Sequence, residues 1–420
     1  MTKLRKVNDN HNRELVMDVT KNSIIAIVIL ICGCATVPVG ITEPGLNIYS
    51  AGFYSDGFSD KPCFWTGTDI TDLPLPPLVK EFKITGMAIA DDGTVFICGQ
   101  YKDQNLWKAC YWKNTERTDL PVPFSYQNSY TSAIVLTTDG SACIAGSYEE
   151  DNISRPCYWQ GIARRDLNFP SRSVNTYTTA IKITANRTIY TTGYYKGPNG
   201  DRPCYWQETA RIDLSVPSSS KYGIITSFDV VDNILVYTVG YYDDGFNTMP
   251  CYWTGSTRMD LPLPSGNIDF NIGGIAITSK KAVYISGDYG MQIGSDKIRK
   301  PCYWQGSTRF DLPDGFMGGY TTNITAVKDG TVFITGFIND GSGRLPCFWH
   351  NNTRIDIVSA GYQDYQIMDF FVTADNIVYI AGILPRYNDL NICYWKNREY
   401  SNAGYIKGTI IKMLIVKAPT

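Results

Sequence analysis

Histidine is nearly missing from this chain of 420 residues: only His11 and His350 occur. That scarcity excludes much chemistry. No CxxC or HxH spacing is present, so no metal set of the zinc type is expected. Without a spare imidazole, neither a Ser-His-Asp nor a Cys-His nucleophile can be assembled. Charge is also sparse, at 19% Asp, Glu, Lys and Arg, with a net of −2 and no basic block. A phosphate-tracking surface for nucleic acid is therefore not expected. Helical periodicity is lacking as well. What the chain has in quantity is glycine (37) and tyrosine (29), with 44% hydrophobic residues. That is the composition of many short strands joined by tight turns around an ample core.

The strands are written in a repeat. PCYWQGIARRDL begins at Pro156, PCYWQETARIDL at Pro203, PCYWTGSTRMDL at Pro250 and PCYWQGSTRFDL at Pro301. Cysteines recur at Cys63, Cys110, Cys157, Cys204, Cys251, Cys302, Cys347 and Cys393, each followed by Tyr or Phe and then Trp. The successive spacings are 47, 47, 47, 47, 51, 45 and 46 residues, so one structural unit of nearly constant size recurs. Upstream in each unit lie two alternating apolar segments, often flanking Asp-Gly, as at Asp92-Gly93 and Asp139-Gly140, which predicts a type I′ hairpin. The second segment ends in glycine: Gly52, Gly99, Gly146, Gly193, Gly240, Gly287, Gly336 and Gly382. Four antiparallel strands in about 45 residues make the blade of a β-propeller.

The first unit lacks an innermost strand, and the last is followed by a surplus one, GTIIKMLIVKAP. A C-terminal strand completing the first blade removes both free edges. The expected fold is therefore all-β, a single eight-bladed propeller over 46–420, its first blade closed by the C-terminal strand. In the third-to-fourth hairpin Trp304 should face Arg309, Tyr303 face Phe310 and Cys302 face Asp311. Arg over Trp would be a cation–π pair of about 0.5–2 kcal/mol.

The N-terminal region reads as a targeting segment. Lys3, Arg5, Lys6, Arg13 and Lys21 precede the apolar run Ile24 to Ile31, which is short for a membrane-spanning helix. The run leads into Ile31-Cys32-Gly33-Cys34-Ala35, which resembles a bacterial lipobox with Cys34 as the lipidated residue. On this reading 1–34 is a signal peptide, 35–45 a tether, and the propeller is extracytoplasmic, held on a bacterial membrane by its lipid. An uncleaved signal anchor and a cleaved signal without lipid are the alternatives, and Met17 offers a second start.

Twelve cysteines in an exported chain suggest disulfides. Equivalent positions of adjacent blades, however, lie beyond the roughly 7 Å reach of a bridge, so the repeat cysteines read as small buried apolar residues. Cys98 with Cys110 is the one cross-strand pair left open. Asp56-Gly57, Asp243-Asp244-Gly245 and Asp340-Gly341 do not fit a calcium loop and read as turns. The R-x-D pairs recur around the ring and read as structural. No catalytic residue, metal ligand or cofactor is assigned. The candidate ligand contacts are Trp107, the one tryptophan outside the repeat, together with Tyr101, Tyr148, Tyr194 and Tyr241, placed in loops between second and third strands.

From about residue 45 onward the chain resembles β-propeller repeat proteins, and with its lipobox it resembles exported bacterial β-propeller lipoproteins carrying CYW-x5-RxDLP-type repeats. The resemblance implies a fold and says nothing of activity. Eight-bladed quinoprotein dehydrogenases are similar only in blade number, since their tryptophan-docking repeat and adjacent-cysteine pair are missing here. The expected function is a membrane-anchored, non-catalytic binding or scaffold protein with a protein or glycan partner. The alternative is a carbohydrate-active enzyme, a lyase or glycosidase, using carboxylates at the channel.

Overall fold

The computed structural model describes residues 46–417, apart from 125–126, 171–174, 198, 328–329, 342, 358–364 and 387–388. The expected signal segment 1–34 with Cys34 and the expected tether 35–45 lie outside the described residues. Those described form eight four-stranded antiparallel sheets and no helix. Blade 1 runs, from the axis outward, Thr409–Lys417, Leu46–Ser55, Asp60–Thr66 and Asp69–Asp72. The inner strands of blades 2 to 8 are Phe82–Ile89, Ser129–Leu136, Thr176–Ile183, Gly223–Val231, Asn267–Ile277, Gly319–Ala326 and Gln366–Val372. Each packs beside the next, and the last packs beside Thr409–Lys417, which closes the ring. Closure runs in register from Leu46↔Lys417 to Phe53↔Thr409. The eight-bladed propeller closed by its C-terminal strand is thus the observed fold.

The repeated glycine has a different job from the one expected. It sits in mid-strand, opposite a β-bulge that every inner strand carries. The extra residues are Thr85, Ser132, Thr179, Thr226, Gly273, Thr322, Met368 and Ile411. The bulge pushes a carbonyl toward the second strand, and a side chain there would collide with it. A Cβ on Gly193 would lie 1.9 Å from the Tyr177 oxygen, and one on Gly146 would lie 2.7 Å from the Trp159 ring. Second strands therefore continue past the glycine, as Val95–Asp103 does beyond Gly99. Tyr101, Tyr148, Tyr194 and Tyr241 consequently lie on strands and not in loops, and Trp107 is the second residue of the strand Leu106–Lys113.

The Asp-Gly turns also differ from expectation. Only the glycine takes positive φ, 84° at Gly93 and 78° at Gly140, so these are turns closed by one left-handed residue and not type I′.

The third-to-fourth hairpin has the expected register: Cys302↔Asp311, Tyr303↔Phe310 and Trp304↔Arg309. Its arginine, however, does not lie over the tryptophan. Arg309 stacks on Tyr289 at 4.9 Å, and Arg117, Arg164, Arg211 and Arg258 stack on Tyr101, Tyr148, Tyr195 and Tyr242. The glycine explains the exchange. It opens a bed into which the indole turns inward, so the tyrosine two residues on is left to take the guanidinium. From blade 2 to blade 7 the indole N–H then donates across the seam to a carbonyl of the preceding blade, Trp112 to Pro74 at 3.0 Å and Trp253 to Ser215 at 2.8 Å.

The core is accordingly a set of seams. Every buried cluster joins adjacent blades around one framework Trp and its Cys, as Tyr49, Phe64 and Leu73 of blade 1 pack with Ile97, Cys110 and Trp112 of blade 2. All ten described cysteines are free and buried, including Cys98 and Cys110, whose direct partners are Tyr111 and Gly99. Burial pushes the thiols up, Cys98 to about 11, which suits inert packing residues.

Candidate ligand face

Alternation of strand direction sorts the loops onto two faces. Those joining second to third strands share one face with those joining an outer strand to the next inner strand. Leu46 begins a second strand, so it and its partner Lys417 lie at the opposite face. The loop face is the less ordinary of the two. Phe58, Leu78, Phe124, Phe246 and Phe316 all project there with side chains 86% to 107% exposed. Two of these tips are built alike: Asp56 Oδ1 accepts from the Phe58 and Ser59 N–H groups, and Asp244 Oδ1 from those of Phe246 and Asn247. The carboxylates read from sequence as turn formers are turn formers, and they hold a phenyl ring outward.

Trp107 is half-buried on this face. Lys83 Nζ stands 5.2 Å and Lys102 Nζ 6.0 Å from its ring. Its backbone N–H donates to Asn128 Oδ1 at 2.9 Å, and Asn128 Nδ2 donates to Glu149 Oε2 at 2.6 Å. Glu149 in turn borders a cleft of ≈ 300 Å³ between blades 3 and 4, lined by Tyr130, Thr131, Ser132, Tyr177 and Thr178. Tyr177 packs on Tyr194 with ring centres 5.3 Å apart. An arc of half-exposed aromatic rings thus runs from Trp107 through Tyr130 and Tyr177 to Tyr194, with a carboxylate and an amide between them.

The other expected contacts are placed differently. Tyr101 and Tyr148 are 2% and 4% exposed, under Arg117 and Arg164, and the Tyr101 hydroxyl donates to Asp119. Both belong to the blade framework. Tyr241 is half-buried and packs edge-on against Tyr222 and Phe270, a blade away from the cleft. Sequence reasoning missed Tyr130, Tyr177 and Glu149. A signal existed: Asn128-Ser129-Tyr130-Thr131-Ser132 and Asn175-Thr176-Tyr177-Thr178-Thr179 share a pattern that most inner strands lack.

The cleft phenols are poor bases. Burial with the nearby Glu149 pushes Tyr130 up to about 12, and burial raises Tyr177 and Tyr194 as well. They remain protonated near neutral pH and so are able to donate hydrogen bonds. Two carboxyls move toward neutrality, Asp288 and Asp369, each raised to about 6 by burial. Neither borders the cleft. Asp288 is held by Arg299 in blade 6, and Asp369 accepts the Ile415 N–H at the closing seam. No group of three or more His, Cys, Asp or Glu among the described residues could hold a metal.

No family model matches the chain, and no curated protein matches it. Among solved structures, a dihydro-heme d1 dehydrogenase, NirN, in complex with DHE is similar over 91% of this chain and 77% of its own, at 9% identity and a TM-score of 0.49. A polysaccharide lyase of the PL25 ulvan lyase family is similar over 77% and 82%, at 9% identity and a TM-score of 0.40. The polysaccharide lyase Uly1 is similar over 89% and 99%, at 8% identity and a TM-score of 0.42. These likenesses are too distant to carry any chemistry to this chain, whose architecture rests on its own strand pairing.

Proposed function

We propose that the protein is a membrane-anchored, extracytoplasmic, non-catalytic binding protein whose loop face takes a glycan. The observation that carries this reading is the arc Trp107–Tyr130–Tyr177–Tyr194 around the cleft, with Glu149 and Asn128 between the rings. Half-exposed rings offer flat apolar platforms, and the amide, carboxylate and phenols offer directional hydrogen bonds. Together these suit the alternating CH faces and hydroxyl edges of a pyranose. Binding is favoured over turnover because a general base works best with a pKa near the operating pH, and the cleft phenols lie far above it. Anchorage is supported by the Ile31-Cys32-Gly33-Cys34 pattern. The exposed phenyl tips then fit contact with the macromolecule that bears the glycan.

The test is calorimetric titration of the purified full-length protein with a panel of oligosaccharides. Trp107→Ala and Tyr177→Ala are each expected to weaken binding about thirtyfold, the loss of an anchor of about 2 kcal/mol, with little change in thermal stability. Unchanged affinity in both variants would sink the site assignment.

A further inference from the structure

Five of the eight bulge residues carry a hydroxyl, Met368 and Ile411 carry an apolar side chain, and only Gly273 carries none. The bulge row faces the channel: Thr179, Thr226 and Ile411 are exposed although they sit on innermost strands. In blade 2 the bulge residue completes a network. The Thr85 hydroxyl lies 2.6 Å from Thr131 Oγ1 and 3.3 Å from Cys98 Sγ, and Thr131 Oγ1 donates to Gln100 Oε1 at 3.2 Å. Bulge hydroxyls pair likewise in Ser132–Thr178, Thr179–Thr192 and Thr322–Thr335.

Blade 6 keeps the frame and deletes the centre. Gly273 stands at the place of Thr85, Ser286 at that of Cys98, Asp288 at that of Gln100, and Thr321 at that of Thr131. Ser286 Oγ, Asp288 Oδ2 and Thr321 Oγ1 are left without a protein partner. Their residues are 0%, 0% and 5% exposed. Two of these oxygens aim at the missing side chain, since a Cβ on Gly273 would lie 2.7 Å from Ser286 Oγ and 3.0 Å from Thr321 Oγ1. The Thr321 N–H faces the Asp288 carboxylate, which places it beside the same notch. Buried polar groups are otherwise partnered in folded proteins, so three orphans around one small opening call for an occupant.

We propose that the Gly273 notch is a subsite for one hydroxyl group of a polyhydroxylated ligand lying in the channel. A hydroxyl has one donor and two acceptor positions. It accepts from Ser286 Oγ and Thr321 Oγ1 and donates to Asp288, filling the role that Thr85 plays in blade 2. The guanidinium of Arg299, already on the other oxygen of Asp288, disfavours a cation and leaves a neutral group as the better fit. The inference rests on the glycan-binding reading and adds to it a second point of contact, away from the aromatic arc.

The decisive variant is Gly273→Ser, which supplies the protein's own hydroxyl. It is expected to hold thermal stability, because Ser286 Oγ at 2.7 Å and Thr321 Oγ1 at 3.0 Å from its Cβ are side-chain ends that can turn aside, and the Thr322 carbonyl at 3.3 Å need give only slightly. Calorimetry uses the tetrasaccharides of glucose, mannose, galactose and xylose as probes. Binding of the best probe should fall at least tenfold in Gly273→Ser and several-fold in Ser286→Ala. If Trp107→Ala abolishes binding while Gly273→Ser and Ser286→Ala bind as the parent does, the notch is wrong and the face reading stands. Loss in Gly273→Ser with Trp107→Ala unaffected leaves the notch and removes the arc. A parent protein that binds none of the four overturns both. A crystal soaked with the best probe that shows only water in the notch also overturns the proposal.

Discussion

The outer and inner halves of the blades obey different rules. Third and outer strands are near copies, with the Trp, the Cys and the Arg/Asp pair in one register from blade 2 to blade 7. Inner strands share a bulge and little else: the residue after it is Gly86, Ala133, Ala180, Ser227, Gly274, Asn323, Asp369 and Lys412 in turn. Wedges arranged about an axis leave their widest gap at the rim, and only large rings fill it, so the rim is held to one solution. Near the axis the strands already touch, and the side chains facing the channel are released from packing. Uniformity here marks structure, and variation marks the place where chemistry can be specific.

Four interventions test this division, beginning with the most severe. Ending the chain before Gly408 removes the inner strand of blade 1 and bares the seam of Ile410, Met413 and Ile415 against blade 8. Cooperative thermal unfolding should be lost, and a sharp transition in the truncated protein would show that closure is dispensable. Trp253→Ala empties the centre of one seam and breaks the bond to Ser215. It should destabilise by about 3–5 kcal/mol, read by chemical denaturation.

At the blade edge, Arg258→Ala loses the stack on Tyr242 at 4.2 Å and the pair with half-exposed Asp260. Solvent screening holds its expected effect to about 1 kcal/mol. Asp369→Asn probes the inner half. Burial raises its carboxyl to about 6 in the fold, above the usual 3.8, so the folded state holds the proton more tightly than the unfolded chain. This contribution to stability is full below pH 4 and is lost as pH rises to about 6. The variant should therefore gain on the parent progressively across that window, as seen in melts at stepped pH. A difference that does not change with pH would mean that Asp369 titrates normally.

The same division set what could be read from the sequence. Blade number, the closing strand and the hairpin register were legible because the rim repeats at fixed spacing. The partner of the arginine was not, since cross-strand pairing names the neighbour and not the direction in which an indole turns. Trp107 stood out as an exception to the repeat. Tyr130, Tyr177 and Glu149 did not, because inner strands have no common pattern against which to notice them. Taking Gly99 and its equivalents for strand ends hid the bulges, and with them the orphaned oxygens around Gly273. A glycine demanded by a neighbour's carbonyl looks the same in sequence as one demanded by a turn.

The closing strand also orders events in time. Blade 1 is assembled from the first and last segments of the described chain, so its hydrogen bonds cannot form until the final residues are available. While the chain is being made, blades 2 to 8 can pair locally, but the second strand of blade 1 waits with an unsatisfied edge. The finished ring appears only in one late step. For a chain made from its N-terminus, that delay keeps the ring open until synthesis reaches its last strand.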